Sequence, residues 1–138
     1  MAADFLKQKD ALVSALLAAI PACRAIYRFG SWGTEGQRAD SDIDLAVLAS
    51  QPLDPVRRWE LAQTLAALAG RDVDLVDLLS ASTVMRLQVV AYGERLYCAD
   101  PFQVEQFADM TFSSYARLNE ERRGILEDVR QRGNVYGQ

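Results

Sequence analysis

Two aspartates one residue apart, Asp42 and Asp44, stand at the head of an alternating segment in which Ile43, Leu45 and Val47 are apolar. A β-strand has a side-chain period of two, so this spacing predicts both carboxylates on one face and Ile43 on the other, turned to a core. Neighbouring carboxylates repel each other unless they share divalent cations. Mg²⁺ suits such a pair, because it takes oxygen ligands and bridges substrate phosphates. A lone Asp-x-Asp in an acidic chain would be read as a solvated strand face. Here Gly30-Ser31 precedes it by ten intervening residues. A strand that ends at a glycine followed by a serine and a short turn offers backbone N–H groups and a hydroxyl to a phosphate, with no Cβ at Gly30 in the way. The two features together predict a triphosphate cradle beside a metal-binding pair.

The rest of the composition narrows the chemistry. The chain has no histidine, which removes histidine nucleophile activation, histidine metal ligands and the usual neutral-pH general base. Catalysis must then run on carboxylates, hydroxyls and bound metal. A formal charge of −4 argues against a broad basic footprint for nucleic acid. Cys23 and Cys98 are the only cysteines, too few for a disulfide framework, and are read as buried free thiols. No apolar run approaches a bilayer span, and the opening MAADFLKQKD lacks the order of a signal peptide, so a cytoplasmic protein is expected.

The elements that must position the acidic pair are legible from periodicity and caps. Phe5, Leu6, Leu12, Val13, Leu16, Leu17 and Ile20 recur at helical spacing up to Pro21, predicting a helix over residues 4–20. A strand over Arg24 to Phe29 ends at Gly30, and a polar stretch, Ser31 to Ser41, leads to the acidic strand. After a connector from Pro52 to Pro55, Asp54 and Pro55 open a helix carrying Trp59, Leu61, Leu65 and Leu68, which Gly70 ends. A third strand is predicted at Asp72 to Leu78, a helix from the Ser82 cap through Tyr92, and a short strand from Arg95 to Cys98. From the Asp100-Pro101 cap, Phe107, Met110, Tyr115, Leu118, Ile125, Leu126 and Val129 predict a helix of roughly 30 residues, about 45 Å long. The alternation of helices and short strands indicates an α+β (mixed α/β) fold, a small mixed sheet flanked by helices. One domain spanning residues 1–138 is expected, with a helical extension at about 101–132.

The stretch FGSWGTEGQRADSDIDLAVL resembles the signature of the polymerase β-type nucleotidyltransferase superfamily in its minimal form. The resemblance implies that fold and a third carboxylate on a neighbouring strand, for which Asp72, Asp74 and Asp77 are candidates. The string Val-Asp-Leu-Val matches the third position at Asp74, whereas Asp77 falls on the opposite strand face by parity and Asp72 at the strand edge. The resemblance then implies two Mg²⁺ ions held by Asp42, Asp44 and Asp74, with Gly30 and Ser31 orienting the phosphates of ATP. Relatives often carry an arginine three residues after the serine, where this chain has Thr34; Arg38 is an alternative source of positive charge for the leaving pyrophosphate. Trp32 is read as a cover for the loop.

Arg58 to Val90 and the long C-terminal helix are similar to the MntA antitoxins of MntA–HepT toxin–antitoxin pairs. That similarity implies transfer of AMP from ATP to a tyrosine hydroxyl of HepT, an RNase of the HEPN class. Alternatives are a nucleotidyltransferase acting on a small molecule such as an aminoglycoside, and an antitoxin that neutralises by binding alone. A chain this short has no second domain to hold a large acceptor, so the acceptor is small or delivered by a partner. The C-terminal helix, with its mixed run Glu120, Glu121, Arg122 and Arg123, is either a docking surface for that partner or a helix packed along its own domain or a homodimer.

Overall fold

The computed structural model describes residues 2–38 and 40–136, with the side chains of 2–4 and 132–136 left undescribed. Eight elements follow one another: α1 (Ala2–Ala19), β1 (Cys23–Phe29), β2 (Ile43–Ala49), α2 (Pro55–Ala69), β3 (Val73–Asp77), α3 (Thr83–Tyr92), β4 (Glu94–Cys98) and α4 (Pro101–Tyr136). The strands form one mixed sheet in the order β3-β2-β1-β4. β1 is antiparallel to β2 and to β4, while β2 runs parallel to β3. No described helix is long and apolar enough to cross a membrane.

Each element starts and stops for a local chemical reason. The Asp54 carboxylate accepts from the backbone N–H of Arg57 at 3.1 Å, and Pro55 occupies the first turn of α2. Gly70 closes that helix by donating its N–H to the Ala66 carbonyl at 2.8 Å. The Ser82 hydroxyl caps α3 through the N–H of Met85, and Asp100 does the same for α4 through Phe102 and Gln103. These side chains satisfy amide donors that a helix start leaves without partners.

Strand alternation divides the core in two. Ile26, Ile43, Leu45, Val47 and Leu75 pack with Leu12 and Leu16 of α1 and Leu61 and Leu65 of α2 on the first sheet face. Ala25, Tyr27, Ala46 and Leu48 pack with Val89 of α3 and with Val104 and Phe107 of α4 on the second. Asp42, Asp44 and Asp74 share the parity of the second face, and the loops at their end of the sheet are those between β1 and β2, between α2 and β3 and between α3 and β4. Cys23 is buried, and burial pushes its thiol up to about 11; Cys98 is half-buried.

The C-terminal helix is longer than its apolar spacing predicts, 36 residues ending at Tyr136, about 54 Å at 1.5 Å per residue. Gly124 and Gly133 lie within it, each a modest propensity cost that a long hydrogen-bonded helix absorbs. Its first turns pack on α3 and β1. From Glu120 to Gln131 every residue is exposed, including Ile125, Leu126 and Val129, so this half of the helix is not packed along its own domain.

Asp74 and Asp77 are three residues apart on β3 and behave oppositely. Asp77 is buried and accepts from the N–H of Leu53 at 2.8 Å, the N–H of Leu79 at 3.1 Å and the hydroxyl of Ser80 at 2.9 Å. Asp74 is exposed. Asp77→Ala strands these donors and should destabilise the fold by about 1–3 kcal/mol, whereas Asp74→Ala should leave it within about 0.5 kcal/mol of the parent. Urea unfolding of both variants reads this directly, and equal destabilisation would reverse the assignment of the two faces.

Candidate active site

The end of β1 and the start of β2 lie side by side because the strands are antiparallel, with Phe29 opposite Asp44. Parallel pairing of β2 with β3 places Asp44 opposite Asp74, on strands about 4.8 Å apart. Asp42 comes one residue before β2 and is exposed, as Asp74 is; Asp44 is half-buried. Burial raises the Asp44 carboxyl above the usual carboxylate range, and the negative charges of Asp74 and then Asp42 raise it further. The three carboxylates are thus electrostatically one group at one end of the sheet.

Gly30 takes a positive φ of 71° and its Cα faces Asp44, so that a Cβ there would run into the Asp44 carboxylate. The following Ser31 opens a turn closed by the N–H of Thr34 donating to the Ser31 carbonyl at 2.9 Å. Among the described residues the Ser31 hydroxyl has no hydrogen-bond partner. Gly33 also requires positive φ, 81°, and packs against the Phe5 ring. Its N–H donates to the Gln37 side chain at 2.8 Å, which folds the loop back on itself.

Two anchors hold that loop. Trp32 is completely buried and meets the Phe5 ring edge-on, with centroids 4.9 Å apart. It therefore belongs to the core beneath the loop as well as covering it. Arg28 donates one guanidinium nitrogen to the Trp32 carbonyl at 3.0 Å and the other to Glu94 of β4 at 2.7 Å. Sequence reasoning passed over Arg28; its signal is a cation inside an otherwise apolar strand, two residues before the glycine.

Arg38 lies farther along the same loop, in the turn before the acidic pair. Its N–H and carbonyl close a turn with Ser41, at 2.8 and 3.1 Å, just before Asp42. Its side chain is exposed and has no partner among the described residues. Thr34 spends its hydroxyl on the Ser31 carbonyl. Asp72 is exposed and acts through its carbonyl, which accepts from the N–H of Ile43 at 2.9 Å.

The donor set fits Mg²⁺. Among the described residues no three ligating side chains converge into a closed cage. What the sheet offers is an open edge of mutually repelling carboxylates next to a strand-end glycine and a free hydroxyl. Mg²⁺ uses such edges when substrate phosphates complete its octahedral shell. The arrangement can hold a metal–triphosphate and expose its α-phosphorus to an acceptor.

Two expectations follow. Gly30→Ala should cost about 1–3 kcal/mol through its backbone conformation and displace Asp44; melting and nucleotide titration together check it, and an unperturbed Mg–ATP affinity would count against the cradle. Because the folded state binds the Asp44 proton more tightly than the unfolded chain, stability is lost as pH rises from about 4, the ordinary carboxylate value, through the raised one. Asp44→Asn should then melt higher than the parent at neutral pH without metal, and the gap should close on acidification below about pH 4. Melting curves across that range suffice, and a variant less stable at pH 7 would contradict the repulsion.

The chain is similar to known proteins over most of its length. The polymerase beta, nucleotidyltransferase family matches residues 13–102. The protein adenylyltransferase MntA of Shewanella oneidensis is 50% identical over 110 residues, which cover 80% of this chain and 78% of that protein. A chain of a toxin–antitoxin crystal structure with AMP-PNP superposes with a TM-score of 0.80 at 46% identity, covering 88% of this chain and 97% of its own. A chain from the tri-AMPylated Shewanella oneidensis HEPN toxin in complex with its MNT antitoxin gives 0.78 at 44% identity, covering 91% and 98%. With the matched region running from α1 through all four strands to the start of α4, the chain belongs to the polymerase β nucleotidyltransferase family.

Proposed function

We propose that this nucleotidyltransferase moves AMP from ATP to a tyrosine hydroxyl of a cognate HEPN-type RNase toxin, HepT, and neutralises it by that modification in the cytoplasm. The observation that carries the reading is the pairing of Asp44 with Asp74 beside the strand-end Gly30, in a chain 50% identical over 110 residues to a protein adenylyltransferase. The whole chain serves as one minimal transferase, and the exposed half of α4 is its docking surface for the toxin.

In the proposed reaction the acceptor oxygen bonds to the α-phosphorus while the bond from that phosphorus to the bridging oxygen breaks. Pyrophosphate leaves with the electron pair. Two Mg²⁺ ions, held by Asp42, Asp44 and Asp74, would neutralise the triphosphate and stabilise the attacking and leaving oxygens. The N–H groups after Gly30 and the Ser31 hydroxyl orient the β- and γ-phosphates. Arg38, free at the mouth of the loop, lends positive charge to the departing pyrophosphate. Asp74, exposed on the edge strand, takes the hydroxyl proton on the side away from the phosphate loop. In a chain without histidine, a carboxylate is the remaining side chain suited to that transfer near neutral pH.

The test pairs chemistry with protection. Purified toxin incubated with the protein and labelled ATP should take up label with Mg²⁺ and none with EDTA. A double Asp42→Asn, Asp44→Asn variant should fold, bind the toxin and fail to label it or to rescue growth, with transfer reduced at least about a thousandfold by loss of charge stabilisation. Full rescue by this variant over an unmodified toxin would show neutralisation by binding alone.

A further inference from the structure

A groove of about 570 Å³ lies at the C-terminal end of α2, and it touches the acidic edge at one residue only, Asp42. Its other walls come from the turn before β2, at Asp40 and Ser41, and from the junction of α2 with β3, at Arg71 and Asp72. The floor is the exposed side of α2, where Ala66, Ala67 and Gly70 carry almost no side chain. None of Gly30, Ser31, Asp44 or Asp74 lines it, so it is a space beside the phosphate cradle.

Its electrostatics are unbalanced. Asp40, Asp42 and Asp72 are exposed, and none forms an ion pair among the described residues. The one cation in the groove, Arg71, forms no ion pair with them: its guanidinium donates to the carbonyls of Arg38 and Ser41, both at 3.5 Å. Three carboxylates therefore share one space with a single cation, and the acids outnumber it. Metal binding would engage Asp42 and leave Asp40 and Asp72 unpaired.

A second observation lies on the same helix. At 100° per residue, Val56, Trp59, Gln63, Ala66, Ala67 and Gly70 fall within about 100° of arc, a stripe about 21 Å long that ends in the groove. Val56 and Trp59 are each 63% exposed, and the buried residues of α2, Leu61, Ala62 and Leu65, lie on the other side. An uncovered tryptophan is a frequent binding anchor and attracts Lys or Arg to its ring face.

The sheet order decides which side of the reaction the groove serves. Gly30 and Ser31 follow β1 on one flank of β2, and Asp72 precedes β3 on the other. In-line displacement puts the attacking and leaving oxygens on opposite sides of the phosphorus. With pyrophosphate at the Gly30–Ser31 loop, the acceptor approaches from the β3 flank, where the groove opens at Asp42.

We propose that this groove and the stripe leading to Trp59 receive a basic segment of the protein acceptor, which delivers its hydroxyl to the α-phosphorus. The inference rests on the adenylyl-transfer reading and names how that site selects its substrate. Carboxylates without partners take Lys or Arg side chains, the flat alanine and glycine floor accepts their methylene stems, and Trp59 covers the outer end.

Steady-state transfer of AMP to the purified toxin tests it with two variants, Trp59→Ala and the double Asp40→Asn, Asp72→Asn, all at exposed positions outside the metal set. Each should raise KM for the toxin about tenfold, a typical loss of one interface anchor or charge pair, with kcat and KM for ATP unchanged. The double variant should also flatten the rise of that KM with salt. Melting temperatures confirm folding. If the parent protein transfers no AMP, the adenylyl-transfer reading fails. If the parent transfers and both variants match it, the groove does not select the acceptor. A rise in KM for ATP instead would assign the groove to the nucleotide. Loss of a dimer by Trp59→Ala with KM unchanged would make the stripe a self-association face. Either of those last two results overturns the proposal.

Discussion

The parallel pairing of β2 with β3 is the constraint from which the site follows. It sets Asp44 directly beside Asp74, and the antiparallel neighbour on the other side brings Gly30 against the same carboxylate. The fold thereby assembles an unfavourable object, three acids at one end of a sheet, with the most buried of them held above its usual range. Such an arrangement of like charges weakens the fold, and a cation beside it would offset the repulsion. At Asp44 a charge that would suit a cation therefore works against the stability of the sheet, in the way functional sites commonly store unfavourable interactions.

Everything around that edge serves to hold it still. The glycine and serine sit on a loop fastened from below by the buried Trp32 and from the side by Arg28, which also reaches Glu94 on the far edge strand. Movement of β4 would thus be felt at the loop after β1 through one guanidinium. On the opposite flank, Asp77 ties the end of β3 to the segment entering α2 through Leu53. One aspartate of β3 is thus spent on the fold, and the other stays exposed beside Asp44.

Exposure separates the acidic edge from the larger uncovered surfaces. The groove at Asp42 and the Trp59 stripe lie on the β3 flank, while the free half of α4 extends from the helices on the second sheet face. The core residues fix the geometry of the acidic edge, and these surfaces lie outside the core.

Much of this was legible in the chain alone. The period-two alternation around Asp42 and Asp44, the parity that parts Asp74 from Asp77, and the caps at Asp54, Ser82 and Asp100 are local, and each depends on residues a few positions apart. The helix and strand boundaries accordingly fall within a few residues of expectation, and at the far end of α4 the helix runs on through Gly133 to Tyr136. The roles of Trp32 and Arg28 were not legible, because each depends on partners distant in sequence or on another strand: Phe5 for the tryptophan and Glu94 for the arginine. Trp59 and Leu61 look alike as apolar helix residues, and only the packing of α2 on the sheet decides that one is exposed and the other buried. Residue type and spacing determined the chemistry this protein can hold; tertiary structure decided which of those residues meet, because strand order and helix packing are set by contacts between segments that the linear pattern leaves unspecified.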